Sequence, residues 1–333
     1  MGNITDQFET MDKALKDQNL KLNKIIAIIG GGLIGQAWSV VFLRAGFKVH
    51  IFDTDKNVLN NLKISVTAKL KELASFGLMQ QDLVSKVIEN LSLYDELEAA
   101  VNNSNYVQEC GPENLEIKSA LTKKIDKFTP DRVPIGSSTS GIPSSLYAAE
   151  VKGRNRCLVV HPINPPHLIP AVEIVPSKWT DSSISSKVAE IISAADQTPI
   201  MLDKEIEGFV VNRLQGALLS EAFRLLTDGV ASYEAIDKAV SEGLGMRWSF
   251  MGPFETIHLN APGGIAQYIE RYGSMYHKMF ENQKVEDDWS VALDQGLDKQ
   301  LRKTHPISNL EQSWKERDQN IMRSLVHKHG TSK

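Results

Sequence analysis

The stretch IIAIIGGGLIGQAWSVVFLRAGFKVHIFD, residues 25–53, decides the fold of this chain. An apolar β-branched run enters a glycine turn, a helical pattern follows, and a second apolar run ends on Asp53. This order of strand, turn, helix, strand and acid is the dinucleotide-binding fingerprint. The turn residues predicted to contact the dinucleotide are Gly30, Gly32, Leu33, Ile34 and Gly35. An ordinary β–α turn is the alternative, and the correct context on both sides disfavours it.

Each glycine of the turn has a physical role. Gly30 permits the tight turn, Gly32 has no Cβ to keep a pyrophosphate away, and Gly35 lets the helix pack closely on the strand. The helix N-terminus then offers unpaired N–H groups and the positive end of its dipole to the phosphates.

Asp53 indicates which dinucleotide binds. A carboxylate at the end of the second strand accepts hydrogen bonds from both hydroxyls of the adenosine ribose. The same charge repels a 2′-phosphate, and the following Thr54-Asp55-Lys56 contains no Arg to neutralise one. We therefore predict NAD rather than NADP as the cofactor. Capping of the next helix, the alternative role for this acid, suits Asp55 better than Asp53.

The composition is typical of a soluble enzyme. The chain has 333 residues, 42% of them hydrophobic, and a net charge of −4 without a basic block, so nothing indicates a nucleic-acid partner. Cys110 and Cys157 have neither metal-ligand nor disulfide spacing, so we expect buried thiols in a reducing, cytoplasmic compartment and no metal. No apolar stretch approaches the length of a membrane span, and no signal-peptide core is present, so no membrane partner is expected.

Strand and helix patterns predict an α/β protein of two domains. Residues 1–23 form a polar N-terminal tail, and residues 24–204 form a Rossmann-type, doubly wound, largely parallel sheet with flanking helices. Residues 205–333 have helical patterns without strand signals, so an all-helical C-terminal domain follows. Helices are predicted over 56–75 and 80–90, and later strands near 106–107, 133–135, 157–160, 172–175 and 199–202.

His161 and Glu173 form a candidate catalytic pair. His161 directly follows an apolar strand, and ligands of open parallel sheets bind beyond the carboxyl ends of strands. Glu173 interrupts the apolar run of residues 171–175, where a carboxylate is costly unless it is paired. If it pairs with His161, it sets the imidazole tautomer and raises its basicity. The alternative is that His161 has only a structural role, as a capping residue or as part of the core.

Two further polar clusters occur at positions that suit a substrate. GSSTSG, residues 136–141, places four consecutive hydroxyls after a strand, where they can bind a substrate oxygen or only form a turn and helix cap. Asn212 lies in an apolar helical stretch. Its amide can stabilise a developing negative charge on oxygen, or it can be a buried structural group.

These clusters, in this order, resemble the 3-hydroxyacyl-CoA dehydrogenase superfamily from residue 24 to about residue 272. The segments HPINPPHLIPAVEIVP, GFVVNRLQGALLSEAFRL and SEGLGMRWSFMGPFETIHLNAPGG are similar to its lambda-crystallin group. The resemblance implies that His161 is the catalytic base, that Glu173 is its partner, and that Ser137 and Asn212 contact the reacting oxygen. It also implies a homodimer formed through the helical domain, which also serves the substrate.

The resemblance assigns further residues to the cofactor and the substrate. Glu113 and Lys118 match positions near the nicotinamide side of the cofactor. Members that act on acyl-CoA have Asn at the position of Ser138, here a candidate substrate contact, and hold coenzyme A through a Ser and a Lys on an early helical arm. Lys69 and Phe76 stand at those two arm positions, which disfavours a coenzyme A substrate.

Arg247 is the candidate for binding a small carboxylate substrate. It lies in the loop of residues 245–250, which is longer than in the acyl-CoA enzymes, and a guanidinium binds a carboxylate through two N–H groups. An ion pair with Glu242 or Glu255 is the alternative. Lambda-crystallins and carnitine dehydrogenases resemble this loop and take small carboxylates, which favours the substrate role.

Together these features predict NAD-dependent oxidation of the 3-hydroxyl of a small hydroxy acid. The lambda-crystallin resemblance implies L-gulonate as the substrate and 3-dehydro-L-gulonate as the product. An L-carnitine 3-dehydrogenase is an alternative, since Trp248 and Phe250 provide aromatic rings for a trimethylammonium group. A short-chain 3-hydroxyacyl-CoA dehydrogenase and an NAD-binding structural protein of the crystallin type are the others.

Overall fold

The structure, a computed structural model, describes residues 24–281 and 289–330. Two compact units are present: the N-terminal unit, up to Val210 and again from Trp314, and the helical unit, Val211–Ser313. The polar tail predicted for residues 1–23 lies outside the described residues. The sequence patterns assign residues 205–333 to one helical domain, whereas the chain from Trp314 onward belongs to the N-terminal unit.

Strands and helices alternate in the N-terminal unit. The strands are β1 (Ile25–Ile29), β2 (Lys48–Phe52), β3 (Leu91–Tyr94), β4 (Tyr106–Glu109), β5 (Ile135–Ser137), β6 (Cys157–Pro162), β7 (Ala171–Pro176) and β8 (Thr198–Met201). The helices are α1 (Leu33–Arg44), α2 (Lys56–Ser75), α3 (Leu83–Val87), α4 (Leu97–Val101), α5 (Leu115–Phe128), α6 (Ser144–Tyr147) and α7 (Ser182–Ala194).

The eight strands form one sheet in the order β3-β2-β1-β4-β5-β6-β7-β8. Neighbouring strands are parallel from β3 to β6, β7 runs antiparallel to β6, and β8 is parallel to β7. The chain starts in the middle, winds to one edge and then to the other, so the predicted doubly wound, largely parallel sheet is confirmed. The patterns did not predict β3, a short edge strand with only one buried residue.

Two apolar cores cover the two faces of the sheet. The α1 face buries Leu158 and Val160 of β6 together with residues of α1, α2 and α7, and the α5 face buries Val159 together with residues of α4, α5 and α6. Successive strand residues point to opposite faces. His161 therefore projects from the same face of β6 as Val159.

Local signals explain the length of α2. The Asp55 side chain accepts the Asn57 N–H and caps the helix, as expected for this acid. Leu59, Leu62, Val66 and Leu70 form its buried stripe. The observed limits, Lys56–Ser75, are those predicted. The helix predicted over 80–90 is shorter, because α3 ends at Val87 and a 3₁₀ turn, Ile88–Asn90, follows.

The helical unit contains seven α-helices among the residues that the structure describes. They are α8 (Val211–Thr227), α9 (Tyr233–Lys238), α10 (Gly245–Trp248), α11 (Pro253–Leu259), α12 (Gly264–Glu281), α13 (Ser290–Asp294) and α14 (Leu297–Thr304). A last helix, α15 (Leu310–Gly330), begins in this unit, and its later part packs Met322 into the core on the α1 face. None of the described helices has the length and apolar character needed to cross a membrane.

Candidate active site

The glycine turn between β1 and α1 combines close packing with open space. A Cβ on Gly35 would lie 1.9 Å from the Gly30 carbonyl oxygen, and one on Gly30 would lie 2.7 Å from the Cys110 carbonyl oxygen. Gly30 also has φ +112°, a conformation that favours glycine. A Cβ on Gly32 would meet nothing within 4 Å. The turn is therefore packed on its protein side and open at Gly32, as a pyrophosphate cradle requires.

The N-terminus of α1 is available to an anion. Its cap residue, Gly32, provides no side chain, and the N–H of Gln36 donates to the Gly32 carbonyl oxygen at 2.9 Å. The N–H groups of the preceding Leu33 and Ile34 thus lie before the α-helical hydrogen bonding begins. They point, with the positive end of the helix dipole, toward the open side of the turn.

Asp53 braces the glycine turn as well as ending β2. Its Oδ2 accepts the Gly31 N–H at 2.7 Å and its Oδ1 accepts the Asp55 N–H at 2.9 Å. The side chain is half-buried, and each carboxylate oxygen has a second lone pair for a further donor. Asp53 therefore suits the ribose hydroxyls of NAD while it holds the turn in place.

Four polar residues form a row across four neighbouring strands, at the edge of the sheet where β4, β5 and β6 end and the antiparallel β7 begins. Glu109 of β4 is in register with Ser137 of β5, and His161 of β6 with Glu173 of β7. Ser137 is in register with Val159, two residues before His161. All four side chains therefore project from the α5 face, at the edge where ligands of such sheets bind.

His161 and Glu173 form the expected hydrogen-bonded pair. His161 Nδ1 lies 2.8 Å from Glu173 Oε2, and both residues are buried. Glu173 Oε1 accepts the backbone N–H of Val210 at 2.7 Å. Because an ionised carboxylate only accepts hydrogen bonds, the neutral imidazole carries its proton on Nδ1. Its Nε2 is then the basic nitrogen, as removal of a proton from a substrate hydroxyl requires.

Ser137 does not present its proton to a ligand. Its hydroxyl donates to Glu109 Oε2 at 2.5 Å, and the side chain is 2% exposed. Glu109, which the sequence patterns did not single out, is also buried and pairs with Lys118 Nζ at 3.0 Å. The Ser137 hydroxyl thus belongs to a buried network with Glu109 and Lys118, and its contact with a reacting oxygen stays a prediction. A single acid at the end of the otherwise uncharged strand Tyr106–Glu109 was the available signal.

Ser138 points away from this row, toward the α1 face. Its hydroxyl oxygen accepts N–H bonds from Trp38 Nε1 at 3.1 Å and Gln108 Nε2 at 2.7 Å, and it lies 3.3 Å from Cys110 Sγ. Trp38 and Cys110 belong to the core on that face. The structure therefore does not bring Ser138 to the predicted substrate side of the sheet.

Glu113 and Lys118 hold the loop that follows β5. Glu113 Oε1 accepts the Thr139 hydroxyl at 2.5 Å and the backbone N–H groups of Ser140 and Gly141. Lys118 Nζ lies 3.6 Å from Glu113 Oε2, and its side chain is 1% exposed. Lys118 is engaged with protein groups, and Glu113 is half-exposed.

Ser140 is the exposed member of the four hydroxyl residues in this loop, and the sequence did not distinguish it from the other three. The side chains of Ser137 and Thr139 are buried and donate to Glu109 and Glu113, respectively. Ser140 is exposed at the end of the same loop, where its backbone is held by Glu113. Four consecutive hydroxyls look alike in sequence. Only the folded loop distinguishes the exposed Ser140 from the buried Ser137 and Thr139.

Asn212 and Arg247 belong to the helical unit. Asn212 is the second residue of α8 and is half-buried, and Arg247 is exposed in α10. Neither Glu242 nor Glu255 forms an ion pair with Arg247 among the residues that the structure describes. The protein ion pair considered as an alternative for Arg247 is therefore absent from this part of the chain.

The two cysteines are thiols with little reactivity. Burial raises the pKa of Cys110 to about 12 and that of Cys157 to about 12. Thiolates are the reactive form, so neither side chain is a nucleophile at neutral pH. Among the described residues, no group of three or more His, Cys, Asp or Glu side chains is arranged to hold a metal ion.

Comparison with known families agrees with this geometry. Residues 25–206 match the family described as 3-hydroxyacyl-CoA dehydrogenase, NAD binding domain, and residues 208–293 match 3-hydroxyacyl-CoA dehydrogenase, C-terminal domain. The chain belongs to the 3-hydroxyacyl-CoA dehydrogenase family. It is an NAD-dependent hydroxy acid oxidoreductase, and the predicted cofactor and enzyme class are confirmed.

Two relatives by sequence and one solved structure illustrate what this chain is similar to. The Lambda-crystallin homolog of Bos taurus is 41% identical over 254 residues, which are 74% of this chain and 77% of that protein. The L-carnitine dehydrogenase of Oceanobacillus iheyensis is 36% identical, over 75% of this chain and 80% of that protein. The dehydrogenase of 5-formyl-3-hydroxy-2-methylpyridine 4-carboxylic acid shares the fold, with a TM-score of 0.76 and 24% identity over 90% of this chain and 96% of that chain.

Proposed function

We propose that this dehydrogenase oxidises the 3-hydroxyl of a small free hydroxy acid, with L-gulonate and 3-dehydro-L-gulonate as the preferred substrate and product. The buried His161–Glu173 pair, 2.8 Å apart at the carboxyl edge of the sheet, is the observation that carries this proposal. A general base beside a nicotinamide site is what alcohol oxidation requires.

The proposed mechanism assigns one step to His161 and a supporting role to Glu173. Nε2 of the neutral imidazole removes the proton of the C3 hydroxyl, and the Glu173 carboxylate stabilises the imidazolium that forms. NAD, when bound, accepts the hydride that leaves C3. Because both side chains are buried, solvent screens their interaction only weakly.

Other residues are proposed to hold the substrate. Ser140 is exposed in the loop after β5, whereas Ser137 is 2% exposed, so we propose Ser140 as a contact for a substrate oxygen. For Asn212 we propose donation to the oxygen as it becomes a carbonyl, and for Arg247 capture of the carboxylate. The resemblance to lambda-crystallins supports the last two roles.

A free acid rather than a coenzyme A thioester is supported by α2 and the residue that follows it. Phe76 stands where acyl-CoA enzymes of the family have a coenzyme A contact, and here it packs against a core that includes Met322 of α15. The Arg323 guanidinium lies 5.8 Å from the centroid of the Phe76 ring. An apolar ring engaged in this way provides no donor for a phosphate.

L-Carnitine is the second candidate substrate. Trp248 is 42% exposed and Phe250 is 69% exposed, and both follow Arg247 within three residues. Exposed aromatic rings attract a trimethylammonium group, and the guanidinium suits its carboxylate. The similarity to an L-carnitine dehydrogenase supports this candidate.

One assay separates these substrates. Purified protein with NAD is given L-gulonate, L-carnitine, 3-hydroxybutyrate or 3-hydroxybutyryl-CoA, and NADH formation is followed at 340 nm. We expect the highest kcat/KM with L-gulonate, and a higher value with L-carnitine would select the second candidate. The thioester as best substrate would contradict the free-acid proposal. If the protein binds NAD but oxidises none of the four compounds, the result would favour the alternative of an NAD-binding structural protein.

A further inference from the structure

The segment Gly208-Phe209-Val210, directly before α8, has an unusual backbone. Gly208 has φ 73° and Phe209 has φ 52°, so two consecutive residues adopt the left-handed region. Glycine does this readily, but a bulky aromatic residue does so only under strain. Such a conformation persists only where the surrounding structure holds it, and the contacts of Phe209 and Val210 show which groups are involved.

The Phe209 ring packs on the imidazole of His161. The two ring centroids are 5.5 Å apart with an interplanar angle of 53°, and Phe209 is fully buried in the core on the α5 face. This distance and tilt lie in the range of favourable aromatic pairs. The ring therefore limits the rotation of the imidazole and excludes water from its side.

The same segment also holds the acid of the pair. The Val210 N–H donates to Glu173 Oε1 at 2.7 Å, while Glu173 Oε2 is 2.8 Å from His161 Nδ1. Each oxygen of the carboxylate thus has its own partner, which fixes the direction in which Glu173 points. Phe209 and Val210 contact one member of the pair each, from adjacent positions in the chain.

We infer that Phe209 is a positioning residue for His161, and that Gly208–Val210 is a clamp that holds the His161–Glu173 pair in its productive arrangement. The inference rests on the proposed function, in which His161 is the general base. Proton and hydride transfer need near-attack geometry, so a small displacement of the imidazole lowers kcat without affecting the distant glycine turn.

The test compares Phe209→Leu and Phe209→Met with Phe47→Leu. Phe47 is also fully buried, but it packs edge-on to Phe42 in the core on the α1 face, so its variant controls for loss of a core ring. We expect kcat to fall about tenfold to a hundredfold in both Phe209 variants, with the Kd for NAD unchanged. Phe47→Leu should lower Tm while kcat stays near that of the wild type.

A spectroscopic readout separates positioning from general destabilisation. In ¹³C-histidine-labelled protein, the His161 ring signals, assigned from their loss in His161→Gln, should shift in both Phe209 variants and not in Phe47→Leu. Unmoved His161 signals together with kcat within twofold of wild type would overturn the inference. Phe209→Gly removes both the ring and the backbone strain. A kcat equal to that of the wild type in this variant would also overturn the inference. Normal turnover by His161→Gln would instead refute the proposed function, whatever the Phe209 variants do.

Discussion

Each oxygen of the Glu173 carboxylate faces a different partner, and this limits what can replace the residue. Oε1 accepts the Val210 N–H and Oε2 faces His161 Nδ1. A glutamine must keep its carbonyl oxygen toward Val210, since only an acceptor fits there. Its amide N–H₂ would then point at Nδ1 and move the imidazole proton to Nε2. At the residue scale, the tautomer of His161 therefore depends on the carboxylate.

Glu173→Gln should consequently reduce kcat by about 10²–10⁴ while the protein stays folded, because Nε2–H cannot accept the substrate proton. Steady-state kinetics measure the loss, and ¹⁵N spectra of labelled histidine report which ring nitrogen carries the proton. A variant that keeps the Nδ1–H tautomer and normal kcat would contradict the assignment of Glu173.

His161→Gln removes the proposed base itself. We expect kcat to fall by about 10²–10⁴, the usual contribution of general base catalysis, with NAD affinity unchanged because the glycine turn is untouched. NADH formation and quenching of intrinsic fluorescence by NAD measure the two quantities. Turnover close to that of the wild type would exclude His161 from the mechanism.

His167 makes stability depend on pH. Burial, with smaller contributions from the charges of Lys69, Arg44 and Arg317, lowers the pKa of His167 from 6.5 to about 3. Its Nδ1 is buried and has no partner among the described residues, and the side chain is 8% exposed. The unfolded chain therefore binds a proton between these two pH values and the folded chain does not. Stability from this residue is complete above pH 6.5 and is lost as pH falls toward 3.

His167→Phe should remove this part of the acid sensitivity. Between pH 7 and pH 5 the wild type should lose about 2 kcal/mol more unfolding free energy than the variant. Urea unfolding at both pH values measures the difference, with His305→Gln, an exposed histidine, as the control. Equal losses in wild type and His167→Phe would show that His167 titrates normally in the folded protein.

At the scale of elements, different glycines of the β1–α1 turn serve packing and ligand binding. A Cβ at position 35 meets the Gly30 carbonyl oxygen at 1.9 Å, whereas one at position 32 meets nothing within 4 Å. The backbone of Gly32, with φ −67°, is also open to any L-residue. Gly35 is therefore required by packing and Gly32 by the space left for a ligand, which agrees with the roles that the motif assigns to them.

Gly32→Ala should keep the wild-type Tm and weaken NAD binding at least about tenfold, because its Cβ takes the space of the pyrophosphate. Gly35→Ala should lower both Tm and NAD affinity, since α1 must move away from β1. Calorimetry of unfolding and titration with NAD measure both variants. Normal NAD affinity in Gly32→Ala would show that the open space at this turn is not where the phosphates lie.

At the scale of the whole molecule, the helical unit buries little of its own apolar surface. Among its described residues only Thr256, Ala261 and Ala292 are buried, and no residue of the 17-residue α8 is buried. Large apolar side chains are exposed instead, including those of Met246, Phe250, Phe254, Leu259, Ile269, Met275 and Met279. Exposed apolar surface of this extent is typical of an interface.

We propose that a second copy of the chain covers this surface, as the family resemblance implies. Light scattering after gel filtration should give twice the chain mass of 37.0 kDa. Ile269→Glu combined with Met275→Glu should shift the protein toward the monomer, because a buried interface tolerates unpaired charge poorly. Glu270→Gln, on the same helix, is the control. A wild-type protein of one chain mass at micromolar concentration would contradict the proposal.

Local sequence patterns were sufficient to predict much of the fold and part of the candidate site. The glycine turn, the two limits of α2 and the presence of a strand next to His161 follow from residue spacing, because backbone geometry and face alternation are local properties. The pairing of His161 with Glu173 was also predictable, since an acid inside an apolar strand needs a partner. The cofactor followed from Asp53 and the turn.

Tertiary structure decided what depends on strand order and on loop conformation. Glu109 and Lys118 lie nine residues apart in the chain, yet their pairing commits Ser137, from the neighbouring strand, to a buried network. Ser138 faces the opposite core and Ser140 is exposed, a distinction that four adjacent hydroxyls do not contain in sequence. The packing of Phe209 on His161 joins residues 48 positions apart, and partners at such separations are chosen by folding rather than by local spacing.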